Sequence, residues 1–351
     1  MCGEGCYSVK YNVYSVILSY VTLVYNGNCM KQVRYAIYVL CFLFPFAATA
    51  QAIDNTLSYK NINSDRYFRI NYENDFFSST DKYYTQGIHM ELVAPWVKRF
   101  PISKLLVHPG FGYIRYGVGL EHDAYTPTSI SDPHILYGDR PFTACLFLKT
   151  FLIAIDTERK QRFSSAISTG VIGQAAGGME MQTFIHRGLG DITPHGWPNQ
   201  IHNDAILNYQ ADYEKRLVSA GHFLCIDADG MGRVGTLSDK VALGTTIMFG
   251  YMPSPYSGGK TRGSNFRIYA YEHAEVNAVA YDATLEGGVF NHTSPYTISA
   301  GNVTPIVYQN RFGFVVAYQR IWLEYFQSLL SSEFTNESYH VWGGIQVAWG
   351  L

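Results

Sequence analysis

The stretch YFRINYENDFFSSTDKYYTQGIHMELVAPW, residues 67–96, decides the fold class. Tyr67, Arg69, Asn71, Glu73 and Asp75 alternate with Phe68, Ile70, Tyr72 and Phe76. A period of two with one aromatic-apolar face marks a strand lying between two different solvents. A short polar turn follows, and a second amphipathic strand runs towards Trp96. The triplet Glu73-Asn74-Asp75 falls where the first strand ends, a place suited to mounting chemistry.

The same texture continues to the end of the chain. Charged residues make up only 15% of the sequence, where ordinary soluble domains carry about a quarter. Aromatic residues also reach 15%, with 28 tyrosines. Beyond the first fifty residues no apolar run is long enough for a membrane-crossing helix. Strand-like segments recur at 112–123, 141–156, 163–173, 204–217, 218–228, 240–251, 264–286, 304–318, 319–333 and 338–351. With the opening pair they predict an all-β, transmembrane antiparallel barrel of about twelve strands. A bilayer accepts strands only when every backbone group is paired and no edge is open, which favours a barrel over the alternative, a soluble sandwich. In the last strand Gly343, Ile345, Val347, Trp349 and Leu351 share one face, similar to the C-terminal assembly signal of such barrels, with Leu351 in place of the usual Phe. Polar stretches at 124–140, 174–203, 252–263 and 287–303 read as long extracellular loops.

Residues 1–50 read as a presequence. Lys31 and Arg34 precede a sixteen-residue run, YAIYVLCFLFPFAATA (35–50), which closes on Ala48-Thr49-Ala50. That is the layout of a secretory signal peptide over 30–50, with residues 1–29 an upstream over-call of the start codon. The barrel is expected over 51–351. Setting residues 1–50 aside leaves Cys145 and Cys225 of the six cysteines, which is no disulfide framework. It also leaves 23 basic against 27 acidic side chains, a balance with no use for nucleic acid.

Five motifs in order resemble those of the outer-membrane lipid A 3'-O-deacylases. ENDFFSSTDKYYTQG (73–87) resembles the family's END-x-F-x-x-TD-x-x-YTNG signature, with Gln86 for Asn. DRPFTACLF (139–147) resembles DRPYAGWLY but lacks its Gly-Trp pair. GQAAGGMEMQTFIHRGLG (173–190) resembles a Gly-rich segment running into Q-x-x-x-H, without the usual Pro. GWPNQ (196–200) resembles GW-x-x-Q, and VAYDATLEGG (279–288) resembles VAYDAFLDGN. The resemblance spans the chain beyond the presequence. It implies a twelve-stranded barrel that removes an ester-linked acyl chain from lipid A of lipopolysaccharide and depends on calcium (Ca2+). It also implies contact with outer-membrane lipids and a site facing the outer leaflet; the chain is expected to be a monomer.

The spacing predicts a short helix at MEMQTFIHR, bracketed by glycines. Gln182 and His186 are four apart and share one face of it. The resemblance makes His186 the catalytic base and Gln182 its companion, on a loop helix laid against the barrel wall. It places Asn74 and Asp75 in the site as well. Their amide and carboxylate oxygens, with Glu73, suit a hard cation. Adjacent strand residues face opposite ways, so Asn74 and Asp75 can share a site only if the strand bulges or ends there. Arg140 either grips a glucosamine phosphate of the substrate or pairs with Asp139 or a lumen carboxylate. Glu180 occupies a place where some family members carry a functional serine. Thr80, Asp81 and Thr85 suit the turn between the first two strands, and Trp197 suits a membrane-interface anchor. Two other classes compete: a non-catalytic channel or binding barrel, and an outer-membrane phospholipase-type esterase. Twelve strands make a narrow, side-chain-filled lumen, which argues against the channel. The phospholipase needs a Ser–His arrangement, and the hydroxyls nearest His186 in sequence, Thr183 and Thr193, form no recognisable motif.

Overall fold

The computed structural model describes residues 61–62, 64–78, 82–254, 256 and 266–351, all within the unit Ala48–Leu351. The presequence, and Thr80 and Asp81, lie outside the described residues. Strands β1 (Tyr67–Asn74), β2 (Tyr83–Val93), β3 (Tyr113–Thr126), β4 (Thr143–Asp156), β5 (Gln161–Ile172) and β6 (Asp204–Ala220) are followed by β7 (Leu224–Gly235), β8 (Ser238–Tyr251), β9 (Phe266–Asp282), β10 (Ile306–Tyr318), β11 (Ile321–Leu330) and β12 (His340–Gly350). Each pairs antiparallel with its sequence neighbours. The ladder closes where β12 meets β1, from Tyr67 opposite Gly350 to Asn74 opposite Gly343. Two helices interrupt the connections, α1 (Gly178–Leu189) between β5 and β6 and α2 (Ala283–Glu286) after β9. The expected barrel and loop helix are both present.

Closure forces every strand residue to face either the lumen or the outside. In β11, Trp322, Glu324, Phe326 and Ser328 are buried, while Leu323 and Tyr325 are exposed. The outward set includes Leu243, Phe249, Phe312 and Trp349, more than half exposed. Such side chains lose roughly 1.5–3 kcal/mol each if left in water, and a bilayer around the barrel removes that cost.

The charges turn inward and pair. Arg69 meets Glu91 at 2.6 Å, and Lys149 meets Glu121 at 3.0 Å. Glu324 accepts from Gln346 at 3.0 Å and from the Tyr271 hydroxyl at 2.5 Å. The lumen is therefore filled, and one mouth is also plugged. There Arg115 donates to the carbonyls of Ile62 (2.6 Å) and Ser64 (3.0 Å), and Arg162 donates to Asn61 Oδ1 (2.8 Å). Tyr256 closes the same end, with the guanidinium groups of Arg162 and Arg216 4.9 and 5.0 Å from its ring centre.

Antiparallel order sends connections after odd-numbered strands to one rim and those after even-numbered strands to the other. The segments 127–142, 173–203 and 283–305 share the rim that carries both helices. Residues 252–254 and 256 follow β8 and belong to the plugged rim, which corrects that part of the expected extracellular loop at 252–263; the rest of the loop lies outside the described residues. Strand parity decides the side, whereas length and polarity only correlate with it.

Arg162 also pairs with Glu214 inside the lumen. Arg162→Ala removes the guanidinium paired with that carboxylate, which keeps the Tyr256 hydroxyl, and unties Asn61. Breaking a buried pair from one side costs about 3–5 kcal/mol. A urea titration of the vesicle-inserted barrel should show a lowered unfolding midpoint of that order.

Candidate active site at the helix-bearing rim

Strand register assembles the first half of the site. Asn74 lies opposite Gln86, Gln86 opposite Ala124, and Ala124 opposite Ala144, one row across four strands. The residues beside this row face the lumen. Glu73 is wholly buried, accepting from Trp342 Nε1 at 2.7 Å and Asn71 Nδ2 at 2.5 Å. Asp123 and Cys145 line a lumen cavity with His89 and Lys149. The row of Asn74, Gln86, Ala124 and Ala144 is therefore on the outer surface of the wall.

The strand does end at the Asn-Asp pair. Asp75 opens a 3-10 turn, Asp75–Ser78, rather than continuing the pleat. Asn74 Oδ1 accepts the Phe76 N–H at 2.7 Å, and Asp75 Oδ2 accepts the Lys82 N–H at 2.6 Å. Phe77 folds over β12 at Gly343, where a Cβ would meet its own at 2.6 Å. Amide and carboxylate oxygens at this turn have the chemistry for a hard cation. Glu73 points away into the lumen and does not join them.

Helix α1 supplies the second half. Its entry at Gly178 touches the wall so closely that a Cβ would fall 2.6 Å from Ala144 Cβ and 2.5 Å from the Trp197 ring. Just before it, Ala176 O lies 3.0 Å from His122 Nε2, which holds the loop to β3. Trp197 is fully buried, packs on Phe142, and donates its indole N–H to Gln182 Oε1 at 2.7 Å. It is thus a positioning residue for α1, not the interface anchor its sequence setting suggested. Gln182 Nε2 reaches Thr85 Oγ1 at 3.4 Å, next to Gln86, which opposes Asn74. Thr85 sits where the β2–β3 pairing slips between Tyr84 and Gln86, a bulge that re-aims side chains. The Gln86 Nε2 is buried without a hydrogen-bond partner among the described residues.

His186 lies one turn beyond Gln182, 8% exposed, at the end of α1 capped by left-handed Gly190. Its Nδ1 is 2.8 Å from the carbonyl of Ile192. A carbonyl only accepts, so Nδ1 carries a proton, and in the neutral imidazole the lone pair is on Nε2. That is the tautomer a general base requires.

The remaining expected residues have other partners. Asp139 accepts from the N–H (2.9 Å) and hydroxyl (2.5 Å) of Thr128, and from the backbone N–H of Arg140 (2.7 Å). Arg140 is buried, paired with Glu333, donating to Thr284 Oγ1 at 2.7 Å and lying 4.2 Å from the Tyr125 ring centre. Of its two readings the structure holds the carboxylate pair, with Glu333 rather than Asp139. Thr284 in turn donates to Asp282 at 2.7 Å, so Arg140 joins the 139–147 and 279–288 motifs. Glu180 is exposed in the first turn of α1, where it favours the helix dipole.

A family profile described as "Outer membrane protein LpxR" matches residues 36–351. The chain belongs to the LpxR family. It is an outer-membrane protein, and the family is that of the lipid A deacylases its five motifs resemble. Among solved structures, LpxR from Salmonella typhimurium aligns over 81% of this chain and 100% of its own, with TM-score 0.67 and 18% identity. That likeness establishes the shared barrel. The β domain of the Bordetella autotransporter BrkA aligns over 82% of this chain and 98% of its own, with TM-score 0.43 and 8% identity, too distant to carry an argument. No curated protein sequence matches the chain significantly.

The loop at 331–339 gives a pH-dependent signature. Glu337 accepts the backbone N–H groups of Glu333 and Phe334. Burial, and then the charge of Glu333, push its carboxyl up to about 9. A proton bound more tightly in the folded state than at the unfolded value of about 4.3 stabilises the fold. That contribution is complete at low pH and fades as pH rises through about 9. Glu337→Gln keeps an acceptor oxygen and removes the titration. Melting temperatures between pH 5 and pH 9 should fall for the parent chain and run flatter for the variant.

Proposed function

We propose that the chain hydrolyses the 3'-O-linked acyl ester of lipid A, with His186 as general base. The observation that carries this reading is the outward row of Asn74 and Gln86 beneath α1, joined through Thr85 and Gln182 to the turn bearing His186. A site on the outer surface of the wall, at the helix-bearing rim, meets a lipid in the outer leaflet without extracting it. The filled, plugged lumen weighs against a channel.

Nε2 of His186 takes a proton from water as the water oxygen bonds to the ester carbonyl carbon. The tetrahedral intermediate then collapses, the acyl C–O bond breaks, and the imidazolium returns its proton to the departing sugar oxygen. Free fatty acid and a 3'-hydroxyl result. Ile192 O accepts the Nδ1–H throughout and orients the ring, and Gln182, fixed by Trp197, sets the height of the helix over the wall. Gln86 Nε2 offers an N–H to the developing oxyanion. Asn74 and Asp75 would hold the calcium ion that the family implies, and such an ion supplies positive charge near the carbonyl.

Mass spectrometry of lipid A from a host producing the chain tests this. The 3'-linked acyl mass should disappear with the parent chain. His186→Ala, still folded, should lower turnover by roughly 100-fold or more, the usual scale of a lost general base. Chelation should stop the reaction and added calcium restore it. Unmodified lipid A beside a correctly inserted barrel would overturn the assignment.

A further inference from the structure

Inside the lumen, on strands that carry none of the proposed deacylase residues, Asp229 of β7, His273 and Glu275 of β9 bring three ligand atoms within 4.8 Å of one another. Register explains how strands that are not neighbours do this. Asp229 lies opposite Gly244 of β8, and Gly244 opposite Glu275. The two carboxylates therefore reach across a position with no side chain. A Cβ on Gly244 would fall 2.5 Å from both Asp229 Oδ2 and His273 Nε2.

His273 Nε2 is 3.3 Å from each Asp229 oxygen, and among the described residues the Glu275 carboxylate takes one hydrogen bond, from Asn277 Nδ2 at 2.8 Å. Arg311, the cation opposite His273 on β10, is turned towards Ser328 and Glu73. The imidazole faces both enclosed carboxylates, and the Arg311 charge also acts on it. Two further oxygens there have no partner among the described residues. Asn277, 1% exposed, holds Glu275 through its nitrogen and leaves Oδ1 unpartnered on the same amide. Thr246, 7% exposed and directly opposite His273, leaves Oγ1 unpartnered.

We infer that Asp229, His273 and Glu275 bind a divalent transition-metal ion of the zinc type, clipping β7 to β9 across Gly244. One imidazole nitrogen and two carboxylates form a donor set used for zinc, whereas calcium takes oxygen alone. Asn277 Oδ1 and Thr246 Oγ1, unpartnered among the described residues, are the oxygens such an ion would take as further ligands. This inference does not depend on the deacylase reading.

Zn2+ alone is the probe, added to the full chain purified from membranes, stripped of metal and checked for folded, heat-modifiable migration. The parent chain should bind one equivalent more than His273→Asn or Glu275→Gln, and its unfolding temperature should rise with Zn2+ while theirs does not. All of these forms keep Asn74 and Asp75, so ions held at that turn cancel in the difference. Gly244→Ala should abolish binding by filling the gap, with every ligand retained. Co2+ added to the parent chain guards against variants that misfold, since a visible d–d absorption reports nitrogen and oxygen ligation directly. Equal zinc content in the parent chain and the variants, or a colourless cobalt form, would overturn the proposal.

Discussion

A backbone that crosses hydrocarbon must pair all its N–H and C=O groups, and here the seam between β12 and β1 completes that requirement. Once the ladder is closed, each strand residue has one of two destinations, and its neighbour has the other. Almost everything distinctive about this molecule follows from that parity. It sends Glu73 into the lumen and Asn74 to the outer surface, one residue apart. It stacks Ala124 and Ala144 outward, small enough for the loop carrying α1 to lie on the wall, and it carries the apolar side chains to the lipid.

The inward destination is crowded with charge, and pairing makes that tolerable. Arg69 with Glu91, Lys149 with Glu121, and Arg162 with Glu214 each place opposite charges together in a space water barely enters. Arg140 does the same at the helix-bearing rim, where Glu333 and Thr284 fix it under the loops. The two motifs around Arg140 and Asp282 thus act as the foundation of that rim. The motifs around Gln182 and Trp197 act on the helix above. The position of His186 is a consequence of both layers, since α1 can be only as well placed as the wall and loops it leans on.

Strand positions were legible because alternation is a local property: each segment carries its own record of two solvents. The short helix was legible from its bracketing glycines and the four-residue spacing of Gln182 and His186. Trp197 was misassigned because an indole suits a membrane interface and a buried helix contact equally well. The contact with Gln182, fifteen residues away in sequence, distinguishes them. The start of the 252–263 loop was misplaced for a similar reason, its polarity saying nothing about which rim it joins. Gln86 drew little notice inside a turn signature, since only register sets it beside Asn74 on the outer face.

By itself the sequence determined a barrel of twelve strands, the end of the first strand at the Asn-Asp pair, and a helix bearing His186. These depend on periodicity and on residues that break it, and both act over a few positions. Tertiary structure alone decided that Arg140 turns to Glu333, that Glu73 leaves the Asn-Asp pair, and that Asp229 meets Glu275 over Gly244. Each of these depends on register between strands distant in sequence. Register is set by closure of the whole sheet, and no segment carries that information alone.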